Sequence, residues 1–432
     1  MAFAAIGLLV VAGVAIKMFW WPAIIDPPAL DLAKVDPAVR RLIEERLSEV
    51  RKTPRSADAW GTLAIVLDNN LFEQALPCFA QAERLDPTNP RWPHYQGITL
   101  LRSDPGAALP RFQRATQLAG DAASPSRLRL AELYLQLGRF EEARAEFETL
   151  LKADAKLPWA HLGLARLAFH EGKPDQSRRH LLVPLSVPMT AKSALLLSAE
   201  INAREGNAAA ARQDLAKAMD LQRAPDWPDP FVRDALQYQA GQAALVRKAE
   251  MLCDMRRLPE ATKLLQEVVR EYPESKAGWT LMGWALMQQG RPGDAEKCLH
   301  AALKIDADVA TPLVYLGMIR ATSKDSAGAK DYFRRAIDKK PDSFEAHFNL
   351  GQCLKEEKDL PGAIAELRKA VDCQPFNARA HAQLGELLLD NHREDDASFH
   401  LQEAITLNPN LKDAKKRLED LKEKQAGAKK SP

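Results

Sequence analysis

The side chains best placed to do chemistry in this chain are nine histidines and five cysteines. Their spacing argues against most of that chemistry. His170 and His180 lack the i, i+4 separation and adjacent glutamate of a helical zinc site. Cys78, Cys253, Cys298, Cys353 and Cys373 are odd in number and include no C-x-x-C pair. That argues against a zinc site or a disulfide framework, and for small apolar packing residues. No G-x-G-x-x-G, phosphate loop or G-x-S-x-G occurs. His347 and His381 lie 34 residues apart, in the repeat position that Trp279 fills earlier in the chain, so packing accounts for them. The expectation is therefore a non-catalytic chain with no cofactor and no metal.

The 34-residue interval runs through the whole second half. Gly283, Gly317, Gly351 and Gly385 keep it, as do Ala302, Ala336, Ala370 and Ala404, and Pro341, Pro375 and Pro409. A fixed period of this size marks stacked helix–turn–helix units, none of which can bury its apolar face alone. Within one unit, Trp279, Met282, Gly283 and Leu286 form one face of a first helix, and Ala295, Leu299 and Ala302 one face of a second. Gly290 sits where the first helix must end, and the prolines close the second helices. Gly283 and Ala295 let the two helices approach closely.

This pattern resembles the tetratricopeptide repeat. The resemblance rests on Ala277–Leu286 with Ala295–Leu303, on Ala346–Leu350 with Ala363–Pro375, and on Ala380–Leu388 with Ala397–Pro409. An earlier copy starts at Gln242, with Ala249, Leu252, Ala261, Leu265 and Pro273. Looser copies in the first half carry Trp60, Phe79, Gly97, Phe112, Tyr134, Phe147, Gly172 and Gly206. The fold implied is all-α, a right-handed α-solenoid of about ten helix–turn–helix repeats.

The expected organisation is an anchor over 1–22, a spacer and capping helix over 23–56, and an N-terminal array over 57–222. A proline-containing connector (223–241), a C-terminal array (242–411), and a capping helix with a disordered tail (412–432) follow. Ala2–Trp21 is long enough to cross a bilayer as a helix, with Lys17 near one end, then Trp20, Trp21 and Pro22. The rival readings are a cleaved signal peptide and a buried helix. Lys17, Lys34, Arg40 and Arg41 follow the apolar run and none precedes it, which favours a cytoplasmic repeat domain over a periplasmic one. Pro184, Pro188, Pro225, Pro228 and Pro230 are expected to interrupt the register, as a hinge or as a longer loop. A net charge of +2 gives no footprint for nucleic acid.

The resemblance implies that first helices line a groove for other proteins or peptide segments. The inward positions then are Val246, Glu250, Thr280, Trp284, Met287, Val314, Met318, Glu345, Phe348, Gln352, Arg379 and Glu386. Large apolar residues at such positions serve equally as core between repeats. The Lys-plus-Asn pair of a carboxylate clamp is missing, because the corresponding positions carry Val314 and Met318, or Thr280 and Trp284. The function implied is a membrane-anchored interaction scaffold, similar to bacterial anchored repeat proteins of envelope assembly. The lipopolysaccharide regulators among them carry a rubredoxin-like cysteine set that this chain lacks. The alternative is an exported chaperone-like accessory, for example of the cytochrome c maturation type.

Overall fold

The computed structural model describes residues 22–120, 124–221 and 229–428. Among them are 23 α-helices and one 3-10 turn, with no strand. Ten helix pairs follow one another along the chain. The first five are Ala57–Asn69 with Ala75–Leu85, Arg91–Leu100 with Pro105–Ala119, Pro125–Gln136 with Phe140–Ala153, Pro158–His170 with Pro174–Ser186, and Pro188–Arg204 with Ala208–Asp220. After the short helix Pro230–Ala235 come Gly241–Asp254 with Leu258–Glu271, Lys276–Gln288 with Pro292–Ile305, and Ala310–Thr322 with Ser326–Lys339. Phe344–Glu356 with Leu360–Cys373 and Ala378–Asp390 with Glu394–Leu407 complete the set. Helix Pro37–Lys52 precedes the pairs and Lys412–Ala428 follows them.

The described residues divide into two compact units, one of residues 22–167 with 229–241 and one of residues 168–221 with 242–428. Each is a helical-repeat solenoid. The expected membrane segment, Ala2–Trp21, lies outside the described residues. No helix among the described residues is long and apolar enough to cross a membrane.

The pairs form for local reasons that recur. Ser275, Ser343 and Asn377 cap first helices by accepting from the amides of Gly278, Ala346 and Ala380 at 3.1–3.4 Å. Asp325 and Asp359 cap second helices through Gly328 and Gly362. Such caps are each worth about 1 kcal/mol. In every pair except Arg91–Leu100 with Pro105–Ala119, the turn inside the pair contains a left-handed residue. Gly290 supplies it with φ of 73°, and Arg256, Lys324, Lys358 and His392 take the same conformation at 34-residue intervals. These non-glycine residues adopt it at a cost of about 1–2 kcal/mol each.

A second periodic device ties the loop before a repeat to its first helix. Trp60 Nε1 donates to Pro54 O, and Trp279 Nε1 to Pro273 O, at 2.9 and 2.8 Å. His161, His347 and His381 place Nε2 2.9–3.1 Å from the carbonyls of Ala155, Pro341 and Pro375. Every one of these bonds spans six residues. Histidine here replaces tryptophan while keeping the same ring-nitrogen contact, whereas Leu313 fills the equivalent position without one.

Pro184 does not end its helix as its type suggested. It sits in the last turn of Pro174–Ser186, and Pro188 opens the next helix, so a single residue, Val187, makes the link. The carbonyl of Pro184 then accepts from Thr190 Oγ1 at 2.8 Å.

In the last four pairs, from Lys276 to Leu407, the two helices cross at the periodic glycines. A Cβ on Gly317 would lie 2.5 Å from the Phe333 ring, one on Gly283 2.7 Å from Leu299, and one on Gly385 2.8 Å from Leu401. Gly351 is slightly looser, at 3.0 Å from Leu367. In the first unit Gly97 meets Phe112 in the same way. Phe333 is fully buried and has nowhere to retreat. Gly317→Leu is therefore expected to destabilise the second unit by about 1–3 kcal/mol through overpacking. An unchanged melting temperature would refute this account of the crossing.

Candidate functional site

The first helices of three consecutive pairs in the second unit line a cavity of about 560 Å³. Gly241–Asp254 contributes Glu250, Cys253 and Asp254. Lys276–Gln288 contributes Lys276, Ala277, Thr280, Leu281 and Trp284, and Ala310–Thr322 contributes Thr311 and Tyr315, with Val309 just before it. The apolar part is Cys253, Leu281, Trp284 and the Tyr315 ring. Lys276 is paired with Asp306 at 2.7 Å. Glu250 and Asp254, both exposed, form no ion pair among the described residues. The cavity thus combines an apolar floor with uncompensated negative charge.

It holds no activated nucleophile. Burial, followed by the neighbouring Asp254 and Glu250 charges, pushes the Cys253 thiol up to about 11. A thiol that stays protonated is a poor nucleophile and a poor metal ligand. No cluster of histidine, cysteine and acidic residues among the described residues is suited to hold a metal ion.

Of the inward positions read from sequence, Glu250, Thr280 and Trp284 line this cavity. Val246, Val314 and Phe348 are buried. Met287 and Met318 pack half-buried against core. Glu345 is exposed, and Gln352 donates from Nε2 to Gln383 Oε1. Arg379 lies over the Phe348 ring at 5.5 Å. Together with Glu386 it lines a separate cavity of about 460 Å³ that includes Lys412 and Asp413. Glu386 also lies 3.6 Å from Lys355. Asn349 donates to the Glu345 carbonyl of its own helix. The sequence reading missed Leu281 and Tyr315, which are themselves 34 residues apart. That interval was the signal available for finding them.

The first unit contains a second constellation that spacing could not disclose. His94 Nδ1 lies 2.9 Å from Ser126 Oγ, and His94 Nε2 lies 2.9 Å from Asp229 Oδ2. Arg129 Nε donates to the same Asp229 oxygen at 3.2 Å. Serine, histidine and aspartate in a hydrogen-bonded chain invite comparison with a nucleophile and its base. Here Ser126, His94 and Asp229 are at most 1% exposed, so no substrate reaches Ser126 Oγ. Burial holds the His94 imidazole below its ordinary value, against the opposing pull of Asp229. Burial alone would raise Asp229, but hydrogen bonds from His94 and Arg129 hold it below the usual carboxylate range. The arrangement is a neutral histidine bridging serine to an arginine-paired carboxylate.

Models of the tetratricopeptide repeat match residues 100–158, 158–182, 252–315 and 316–378. The chain therefore contains tetratricopeptide repeats, and both units carry them. Among solved structures, YrrB, described as a TPR protein with an unusual peptide-binding site, is 19% identical, covering 40% of this chain and 88% of that one, with a TM-score of 0.33. MamA is 20% identical over 41% of this chain and 96% of its own, with a TM-score of 0.33. The MamA fragment from Desulfovibrio magneticus RS-1 is 21% identical over 40% and 98%, with a TM-score of 0.35. No curated protein matches the chain.

One histidine pair gives the second unit a pH dependence. His381 Nδ1 lies 3.1 Å from His400 Nδ1, while His381 Nε2 is engaged with Pro375 O. Burial lowers both rings, and His381 and Arg368 help push His400 down to about 4. Because both values are depressed in the folded state, protons bind the unfolded chain first. Stability is complete above about pH 6.5 and declines as pH falls toward 4. The melting temperature of the second unit should drop across that window, and His400→Gln should flatten the drop. A drop of the same size in His400→Gln would contradict the assignment.

Proposed function

We propose that the chain is a non-catalytic interaction scaffold whose second unit binds a basic, apolar polypeptide segment in the cavity around Trp284. The observation that carries this reading is the combination of unpaired Glu250 and Asp254 with an indole, a leucine and a tyrosine ring on one face. Tetratricopeptide repeat proteins generally mediate protein–protein contact, and aromatic anchors in apolar pockets dominate such interfaces. Charge at the rim steers encounter and selects the partner.

A displayed library of random twelve-residue peptides tests the reading. Peptides enriched on the full chain should carry Lys or Arg beside an aromatic or leucine residue. Trp284→Ala should weaken the best of them by about 2 kcal/mol, roughly thirty-fold in Kd, with helix content unchanged. Glu250→Gln with Asp254→Asn should reduce the salt dependence of binding. Enrichment of acidic peptides, or full affinity in Trp284→Ala, would overturn it.

The scaffold is tethered, in this proposal, by Ala2–Trp21. The support is an uncharged run as far as Ile16, one lysine near the end, and paired tryptophans before Pro22. A tether of this kind confines the repeats to a surface and raises their effective concentration near membrane partners. Cell fractionation with alkaline washing should leave the full chain in the membrane pellet and a chain lacking residues 2–21 in the supernatant. Release of the full chain by the wash would remove the tether.

A further inference from the structure

The inner face of the first unit is already occupied, and by the chain itself. Residues 229–238 lie against the first helices of three consecutive repeats. Asn69 Nδ2 donates to Ala235 O at 3.1 Å, and Tyr95 Oη donates to Phe231 O at 2.7 Å. The Phe231 ring rests on His94, with centroids 4.7 Å apart, and on Tyr95 at 6.0 Å. Asp229 meets His94 and Arg129 with one oxygen. With the other it caps its own short helix through the amides of Phe231 and Val232.

The positions used are those that line the open cavity of the second unit. Tyr95 lies two residues before the crossing glycine Gly97, and Leu281 two before Gly283. Arg129 follows Tyr95 by 34 residues, as Tyr315 follows Leu281. His94 matches Thr280 in the same register. One row of repeat positions therefore faces solvent in one unit and an intrachain segment in the other.

The contacts have the character of peptide recognition. Side chains of the repeats read two backbone carbonyls, one carboxylate and one aromatic ring. A six-residue helix is too short to be stable alone, so its order comes from the face it lies on. We propose that residues 229–238 are an internal ligand, and that this face recognises partner segments of the same chemistry: an acidic residue at a helix N-cap, then proline and an aromatic residue. The internal segment and the partner compete for Arg129, His94 and Tyr95. Nothing in this proposal depends on the cavity at Trp284.

The test uses a fluorescent peptide carrying residues 227–240. It should bind the full chain bearing Asp229→Ala and Phe231→Ala, and bind the unaltered chain at least a hundred-fold more weakly. Arg129→Ala added to the double variant should abolish binding. Equal affinity for the unaltered chain, or no binding to a double variant that keeps its helix content, would overturn the proposal. Native-state hydrogen exchange on the unaltered chain gives a second reading that needs no variant. The amides of Phe231 and Val232 should exchange at least a hundred-fold faster than those of the helix Arg91–Leu100. Equal protection would mean that the segment leaves only when the unit unfolds, and the proposal would fail.

Discussion

Everything in this molecule depends on how closely two helices of a pair can cross. Where Gly283, Gly317 or Gly385 stands, even one methyl group would press into a leucine or phenylalanine of the partner helix. The close crossing fixes the angle between the helices, and repetition of that angle keeps first helices adjacent. Only then do residues 34 apart, such as Leu281 and Tyr315, fall in a row and share one cavity. The recognition surface follows directly from the absence of side chains at the crossings.

The periodic part of this logic was legible in the sequence. The ten pairs, the crossing glycines and three of the cavity residues, Glu250, Thr280 and Trp284, follow from the 34-residue interval. The division of labour among large apolar residues was not legible. Val314 and Phe348 share the register of Thr280 but are buried in core. Which of two equivalent positions is covered depends on the size of the neighbouring repeat's side chains, and a single repeat's pattern does not contain that information. The histidines show the reverse case. Their interchange with tryptophan signalled packing, and the shared six-residue hydrogen bond gives the reason.

The least legible feature is the pairing of His94 with Asp229, separated by 135 residues. Asp229 lies in the proline-rich stretch where the period fails, so register offered no link between them. The prolines that spoil the repeat also prepare the segment for its role. Pro230 occupies the first helical position, where its missing N–H costs nothing, and Asp229 is left free to cap. The two inner faces consequently differ in charge. One surrounds a carboxylate with histidine and arginine, and the other presents carboxylates of its own.

The buried thiols have a practical consequence. Cys78, Cys253, Cys298 and Cys353 lie in four different hairpins, each nearly sealed from water. Burial pushes Cys78 up to about 12 and Cys298 up to about 11. A thiol-specific label will modify each one only while its own hairpin is open. The order in which the four react is thus a built-in clock of local opening, reporting which repeats loosen first without any engineered probe.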